Sequence, residues 1–256
     1  MGFSPADVER YARHLVLSEI GGPGQQRLAA STVAVIGAGG VGSPAALYLA
    51  AAGVGTLRII DPDTVSLSNL QRQVLFDTAD IGRPKVEIAQ QRLTALNPGI
   101  RIEAMPEALT SDTAARLIAG AEVVLDGTDD FAVRQAVNAA CVAARIPLVS
   151  GALGRWSGQV GVFTGRPCYR CLVPDLPPDA ETCARVGVVG ALAGVIGSMA
   201  ALETIKLITG AGQPLTGRLL LYDGLSATTR TVEVTADPEC KVCAAAPPVS
   251  STARSV

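Results

Sequence analysis

Residues 32–42, Thr32-Val-Ala-Val-Ile36-Gly37-Ala-Gly39-Gly40-Val-Gly42, decide the predicted fold. The short run rich in β-branched residues predicts a buried strand, and the glycines predict a tight turn into a helix that extends to about residue 52. Without side chains, such a turn lets the backbone approach a phosphate, whose charge meets the N–H groups at the helix start. We therefore expect a nucleotide-binding strand–turn–helix unit.

The same alternation continues downstream of this unit. Strands are predicted at residues 56–60, 100–104, 122–125 and 147–150, and helices at residues 84–96, 112–119 and 131–144. Strands that alternate with helices indicate βαβ units. We expect an α/β fold, a Rossmann-like and mostly parallel sheet with helices on both faces.

The two ends of the chain differ from this pattern. Near the N-terminus, Ser4-Pro-Ala-Asp7 predicts a helix start, with the helix running to about residue 15, and residues 20–24 predict a turn. Beyond residue 155, strands at 159–164, 218–222 and 228–235 lack intervening helices, which favours an antiparallel extension. The Pro-rich residues 174–181 predict a mobile loop.

These segments together predict one domain over residues 1–243. It would comprise an N-terminal helical arm over residues 1–30 and an antiparallel part over residues 155–243 that carries the two cysteine pairs described below. Residues 244–256 would form a disordered tail.

Composition limits the partners. The 256 residues are 48% hydrophobic and 17% charged, so the chain can bury a large core. The net charge of -2 and the 4% aromatic content argue against nucleic acid as a partner. Residues 186–202 are uncharged but shorter than a membrane span and rich in glycine, so we expect a core or interface helix. The absence of a readable signal sequence favours a cytoplasmic location.

The residues after the second strand indicate which nucleotide is bound. Asp61 lies where a carboxylate accepts ribose hydroxyls. The following stretch contributes two cations, Arg72 and Lys85, and further polar side chains, which suits a triphosphate with Mg²⁺ better than a dinucleotide. An ordinary solvated loop is the alternative.

A second acidic cluster, Asp126-Gly-Thr-Asp129-Asp130, follows a later strand of the predicted sheet. In open parallel sheets the ligand crevice lies at the carboxyl ends of the strands, so Asp129 or Asp130 could hold Mg²⁺. Alternatively, one of them caps the next helix, a role that fits Asp130 better.

The cysteines form two C-x-x-C pairs, Cys168/Cys171 and Cys240/Cys243, with 68 residues between them. Four thiolates brought together by the fold make a closed tetrahedral zinc site, which is the favoured interpretation over redox dithiols or disulfides. Of the other two, Cys141 is expected to be a core residue, whereas Cys183 follows the Pro-rich loop and could reach a substrate.

In their order and residue types, these motifs resemble the MoeB/ThiF family, the bacterial relatives of ubiquitin-activating enzymes. The resemblance runs from about Val8 to Cys243. It rests on the glycine turn, Asp61-x-Asp63, Ser68-Asn-Leu-Gln-Arg-Gln73, Lys85, Asp126-x-Thr-Asp129, Arg10-Tyr-Ala-Arg13 and the two cysteine pairs.

The resemblance implies adenylation of the C-terminal Gly-Gly carboxylate of a small β-grasp sulfur-carrier protein, with Mg-ATP consumed and pyrophosphate released. The carrier would be the small subunit of molybdopterin synthase or, alternatively, the carrier of thiamine biosynthesis. The sulfur would come from a separate donor. A carboxylate is already ionised and needs no general base, which fits a chain whose single histidine is His14. An NAD-dependent oxidoreductase and a non-catalytic nucleotide sensor remain alternatives.

The resemblance also assigns roles to residues. The arginine matching Arg13 reaches the neighbouring subunit's ATP, so a homodimer is implied, and the four-cysteine zinc is structural. The aspartate matching Asp129 is essential, and the position matching Cys183 is linked to the carrier in some members only. The candidate catalytic residues are Asp129, Arg13, Arg72, Lys85 and Cys183. The candidate nucleotide-binding residues are Gly37, Gly39, Gly40, Gly42, Asp61, Asp63, Ser68, Asn69, Arg72, Gln73, Lys85, Asp129 and Asp130.

Overall fold

The computed structural model describes residues 3–175 and 187–245, and its centre is an eight-stranded sheet with the order β3-β2-β1-β4-β5-β6-β7-β8. Neighbouring strands from β3 to β5 pair in parallel, whereas β6, β7 and β8 are antiparallel additions. The predicted Rossmann-like sheet and its antiparallel extension are therefore confirmed. The strands are β1 (Thr32–Ile36), β2 (Thr56–Ile60), β3 (Arg101–Met105), β4 (Val123–Asp126), β5 (Leu148–Leu153), β6 (Ser157–Phe163), β7 (Arg218–Asp223) and β8 (Thr228–Glu233).

Helices cover both faces of the sheet. The described helices are α1 (Pro5–Arg10), α2 (Ala12–Leu15), α3 (Gly21–Ala30), α4 (Gly42–Ala52), α5 (Lys85–Leu96), α6 (Ala114–Leu117), α7 (Phe131–Ala144), α8 (Tyr169–Leu172) and α9 (Gly190–Thr209).

Strand β1 shows why both faces need cover. Its successive side chains point to opposite sides, and both sides are buried. Val33 and Val35 belong to the larger core cluster, which includes residues of α4, α5 and α9. Ala34 and Ile36 belong to a second cluster with residues of α6 and α7. The sheet thus separates two hydrophobic cores, one on each of its faces.

The strand order reverses between β1 and β4. β1 pairs with β4 on one side, while the chain continues from β1 through β2 and β3 on the other. The connections after β1 and β4 therefore diverge and leave a crevice at the carboxyl ends of the strands. The glycine turn follows β1, and the Asp126–Asp130 segment begins at the end of β4.

Helix α9 is long and apolar enough to span a membrane by length and composition, but half of that apolar stretch is buried inside the protein. Its Gly197 lies so close to α4 that an added Cβ would be 2.5 Å from Pro44 Cγ. Ile196 packs into the main core. The expected core helix is therefore confirmed, although it begins and ends later than the uncharged stretch.

The N-terminal prediction is confirmed only in part. Ser4 caps α1 in a capping box with Asp7, but the helix is interrupted at Tyr11, whose ring is buried and whose hydroxyl accepts a hydrogen bond from Asn97 Nδ2. The predicted turn at residues 20–24 is wrong, because α3 begins at Gly21. Pro23 lies in the first turn of α3, where proline costs no hydrogen bond.

Two predicted segments lie mainly outside the described residues. The expected mobile loop at 174–181 is described only as far as residue 175, and the expected tail only as far as residue 245. The proposed division of residues 1–243 into arm, core and zinc-bearing part stays a prediction.

Candidate nucleotide site and cysteine cluster

A cavity of about 680 Å³ occupies the crevice between the ends of β1 and β4. It is lined by residues from many separate segments of the chain, because parallel strands bring their following loops to one edge. Most of the predicted nucleotide-binding residues contribute to this lining, namely Gly37, Gly39, Gly40, Asp61, Asp63, Asn69, Arg72, Gln73, Lys85, Asp129 and Asp130.

The glycine turn divides into residues that face the cavity and one that closes the turn. Gly37 has a φ of 83°, a conformation that side chains rarely adopt. Gly42 does not line the cavity; an added Cβ there would lie 1.8 Å from the carbonyl oxygen of Gly37. Gly42 is thus required by the close return of the backbone, and the turn itself presents Gly39 and Gly40 to the cavity.

Asp61 is the most constrained acid of the cavity. Its side chain is buried and accepts hydrogen bonds from the backbone N–H of Ala38 at 2.8 Å and of Asp63 at 2.9 Å. Burial raises the pKa of Asp61, while the nearby Lys85 ammonium, 3.6 Å from Oδ2, opposes that rise. These contacts hold the carboxylate beside the glycine turn, where a ribose would lie.

Both cations predicted from the sequence after the second strand face the same cavity. Lys85 is buried and pairs at 2.8 Å with the exposed carboxylate of Asp63. Arg72 is held by the carbonyl oxygen of Ser68 at 3.0 Å and by Asn69 Oδ1 at 3.3 Å. Ser68 itself is exposed and does not line the cavity, so it contributes its backbone to the position of Arg72.

One cavity residue has an unsatisfied polar atom. Gln73 is buried, and its Oε1 has no hydrogen-bond partner among the described residues. A buried acceptor without a partner is costly and is typical of a site that a ligand completes. Polar ligand groups are therefore expected on this side of the cavity.

The structure distinguishes the two neighbouring acids Asp129 and Asp130. Asp130 caps α7, and its Oδ1 accepts the N–H of Ala132 at 2.7 Å and of Val133 at 3.0 Å. The carboxylate of Asp129 is exposed and makes no hydrogen bond or ion pair within residues 3–175 and 187–245. Asp129 is therefore the acid with all its acceptor capacity available for a cation.

Arg134, which also lines the cavity, was not among the residues predicted from the sequence. Arg134 on α7 is buried and donates to Ser150 Oγ at 2.9 Å, to the carbonyl oxygen of Gly151 at 2.7 Å and to that of Thr128. It also forms an ion pair with Asp126 at 3.5 Å. Burial raises the pKa of Asp126, and the Arg134 guanidinium opposes that rise. The available signal was the only charged residue of the predicted helix, one turn after the capping acid.

The four paired cysteines meet in space as predicted. All four sulfur atoms lie within 4.8 Å of one another, with 3.7 Å between the Sγ atoms of Cys168 and Cys240 and 3.4 Å between those of Cys171 and Cys243. Four sulfurs at about 2.3 Å from one zinc ion would be about 3.8 Å apart, and a disulfide needs about 2.05 Å. The donor set fits zinc.

Three further predicted residues have different outcomes. Cys141 is buried in the core as expected, and burial raises the pKa of its thiol. Cys183 lies outside the described residues. Arg13 is exposed on α2 and does not line the cavity of its own chain.

A second depression of about 610 Å³ adjoins the first on the antiparallel part of the sheet. The two share residues of β5, β6 and the start of α7, so they are adjacent. The shared residues are Phe131, Ala152, Leu153 and Gln159.

Solved structures support the fold. Escherichia coli MccB, solved with MccA-N7isoASN, superposes with a TM-score of 0.82 at 23% identity, covering 94% of this chain and 75% of that one. PaaA superposes with a TM-score of 0.78 at 25% identity, covering 91% of this chain and 75% of that one.

Curated relatives are closer in sequence. A sulfur carrier protein adenylyltransferase of Thermus thermophilus is 45% identical, over 95% of this chain and 93% of the relative. The Escherichia coli ThiS adenylyltransferase is 48% identical, over 93% of this chain and 95% of the relative. The molybdopterin-synthase adenylyltransferase of the same organism is 46% identical, over 94% of this chain and 98% of the relative. Residues 11–242 match the ThiF family. The resemblance stated from the motifs is thereby confirmed, and the chain belongs to the ThiF family.

Proposed function

We propose that this enzyme is an adenylyltransferase that uses Mg-ATP to activate the C-terminal carboxylate of a small β-grasp sulfur-carrier protein and releases pyrophosphate. The observation that carries the proposal is one cavity at the β1/β4 switch point that combines a glycine turn, two cations and a free carboxylate. The substrate class, a sulfur-carrier protein, is inferred from the names of the relatives of this chain. The described geometry supports each step of the binding.

In this proposal the ATP phosphates lie against the glycine turn and the N-terminus of α4, whose N–H groups favour anions. Asp61 receives the ribose, and Arg72 and Lys85 bind phosphate oxygens. Magnesium, when bound through Asp129, would neutralise the charge that builds on the phosphates. Removing one such fixed charge costs about 10²–10³ in rate in comparable sites.

The carrier tail would enter through the second depression. A Gly-Gly terminus has no side chains and would therefore fit a confined path past Leu153 and Phe131, which line both depressions. Asp223 and Arg230 lie at the outer depression, where they would contact the carrier body. The tail would then present its carboxylate to the α-phosphate.

We propose the small subunit of molybdopterin synthase as the carrier. The thiamine carrier is the second candidate, and the identities of 48% to the ThiS adenylyltransferase and 46% to the molybdopterin-synthase adenylyltransferase do not separate the two. We also propose a separate sulfur donor, a cytoplasmic location, and a homodimer in which Arg13 reaches the partner's nucleotide. The exposure of Arg13 outside its own cavity supports this shared site.

Pyrophosphate exchange tests the activity. Purified protein with Mg-ATP should incorporate labelled pyrophosphate into ATP only when its own carrier is added, and each candidate carrier is tried separately. A carrier lacking the terminal glycine is the matched control. Exchange with neither carrier, together with tight NADH binding, would contradict the proposal and favour an oxidoreductase.

Complementation tests the shared site. Arg13→Ala and Asp129→Ala should each lower exchange by about 10²–10³, and mixing the two variants should restore part of it, because one mixed site then holds both native residues. Subunit exchange is verified by mass labelling. No recovery in verified mixed dimers would count against an arginine supplied in trans.

A further inference from the structure

The segment that carries the first cysteine pair contributes to the nucleotide cavity as well as to the cysteine cluster. Tyr169 lies between Cys168 and Cys171 in the sequence, and its side chain is 3% exposed and lines the cavity. Residues of one short segment therefore face both sites. A change in the position of the cysteines would move a wall of the cavity.

Asn138 fixes this segment to α7. Its Nδ2 donates to Cys168 Sγ at 3.5 Å, and its Oδ1 accepts the backbone N–H of Tyr169 at 2.8 Å. The side chain is buried, so neither bond has water as a ready substitute. The amide thus ties a candidate metal ligand and the backbone of Tyr169 to the same helix.

Tyr169 in turn packs on Arg134, which lies one turn before Asn138 on α7. The Arg134 guanidinium carbon is 5.9 Å from the centre of the Tyr169 ring, and Phe163 supports the ring edge-on with centroids 5.8 Å apart. A guanidinium over an aromatic face is attracted to it, more strongly where water is excluded. The ring therefore restricts the orientation of the guanidinium.

Arg134 holds the loop that carries the free carboxylate. Its guanidinium donates to the carbonyl oxygens of Thr128 and Gly151, and these residues follow or belong to neighbouring strands. Asp129 is the next residue after Thr128. A planar fork bound at several points transmits a displacement more directly than a single flexible contact.

We propose that the metal-held cysteine cluster positions the Thr128–Asp129 loop through Asn138, Tyr169 and Arg134, so that metal binding and Mg-ATP binding strengthen each other. This inference rests on the proposed function, because it needs a nucleotide in the cavity. Asn138, Tyr169 and Arg134 act here as positioning residues. By linkage, a factor by which metal strengthens nucleotide binding must equal the factor by which nucleotide strengthens metal binding.

The test measures the zinc affinity of the intact protein by competition with a chelator, with and without a saturating non-hydrolysable ATP analogue in excess Mg²⁺. We expect the analogue to raise the apparent zinc affinity about fivefold or more, the usual range of such coupling. Tyr169→Leu should retain zinc but lose most of this increase. Tyr169→Phe keeps the ring over Arg134 and should keep the increase in zinc affinity. Zinc bound directly by the nucleotide would affect wild type and both variants equally, so the comparison among them controls for it.

A second variant serves if Tyr169→Leu does not fold, as judged by circular dichroism. Arg134→Lys keeps a cation but loses the planar fork, and it should retain zinc while losing the coupling. An unchanged zinc affinity on adding analogue to wild type that demonstrably binds it would overturn the inference, as would equal coupling in all variants. Failure of the wild type to bind the analogue at all would instead overturn the proposed function.

Discussion

The cysteine cluster and the nucleotide cavity are both assembled from distant parts of the chain, but they leave their polar groups in different states. Cys168, Cys240 and Cys243 are buried, and each of the four sulfurs has another sulfur within reach. The cavity instead contains a buried acid whose pKa burial raises, Asp61, and an exposed acid without a described partner, Asp129. The cysteine cluster is suited to stabilising the fold, and the nucleotide cavity keeps charged groups available for a ligand.

This difference predicts which property a mutation in each site should change. Changes in the cluster should lower stability first, because the metal would join two cysteine pairs that have 68 residues between them in the sequence. Changes at the exposed charges of the cavity should lower nucleotide binding and leave the fold intact, since those groups contribute little to packing. Buried charges of the cavity should affect both.

Loss of one cluster cysteine should have the largest effect. Cys240→Ser should reduce the metal content from about one zinc per chain to none and lower stability by about 3 kcal/mol or more, because a structural zinc contributes directly to folding. At about 2–4 °C per kcal/mol, the Tm should fall by about 6–12 °C. Metal analysis and thermal unfolding measure both quantities.

Cys141→Ala is the matched control for this prediction. Cys141 is buried in the core away from the cluster, so its loss should leave the zinc content unchanged. A Cys240→Ser protein with full zinc content would show that the four sulfurs do not share one ion.

Removal of Lys85 should test the overlap between stability and binding. Lys85→Met leaves the Asp61 carboxylate buried without its nearest cation, which is expected to cost about 3 kcal/mol at neutral pH. Mg-ATP binding should weaken as well. Urea unfolding and calorimetric titration separate the two effects, and Asp63→Asn, which removes only the exposed partner of Lys85, should have a small effect on stability.

The stability loss in Lys85→Met should depend on pH. The pKa of Asp61 is already raised in the folded protein, so its contribution to stability is present below its unfolded-state pKa and is lost as pH rises through the folded-state value. Without Lys85 the folded-state pKa rises further. The difference between wild type and variant should therefore be small near about pH 4 and grow toward neutral pH; a difference that is constant over this interval would contradict the assigned pairing.

Asp129→Ala should separate activity from stability. Because the carboxylate has no described partner, its removal should change the Tm by less than about 1 °C, while pyrophosphate exchange falls by about 10²–10³. Asp130→Ala should show the reverse balance, since loss of the α7 cap costs about 1 kcal/mol and the effect on exchange should be smaller. Equal losses of exchange in both variants would argue that the cap, and not a cation-binding acid, explains the effect.

The same comparison explains how much could be read from the sequence. The cysteine cluster was predictable because one residue type recurs at a fixed spacing that metal coordination requires, and β1 with its glycine turn was predictable because strand and turn are local patterns. Arg134 and Tyr169 were missed because their roles arise only when α7, β5 and the first cysteine pair pack together. The start of α3 was missed because three glycines and Pro23 locally favour a turn, whereas packing against α2 and α9 stabilises a helix.

Two glycines provide the smallest and most local test of the difference between turn and scaffold. Gly42→Ala should lower stability by about 1–3 kcal/mol and weaken nucleotide binding, because its Cβ would lie 1.8 Å from the carbonyl oxygen of Gly37 and the turn must open. Gly194 in α9 has no atom within 4 Å of an added Cβ, so Gly194→Ala should raise stability by up to about 1 kcal/mol, as alanine favours the helix, and should leave nucleotide binding unchanged. Calorimetric titration and urea unfolding of the pair measure both effects. If Gly42→Ala bound Mg-ATP as tightly as Gly194→Ala, the close backbone return would be dispensable for the phosphate site, and the helix N-terminus alone would have to account for nucleotide binding.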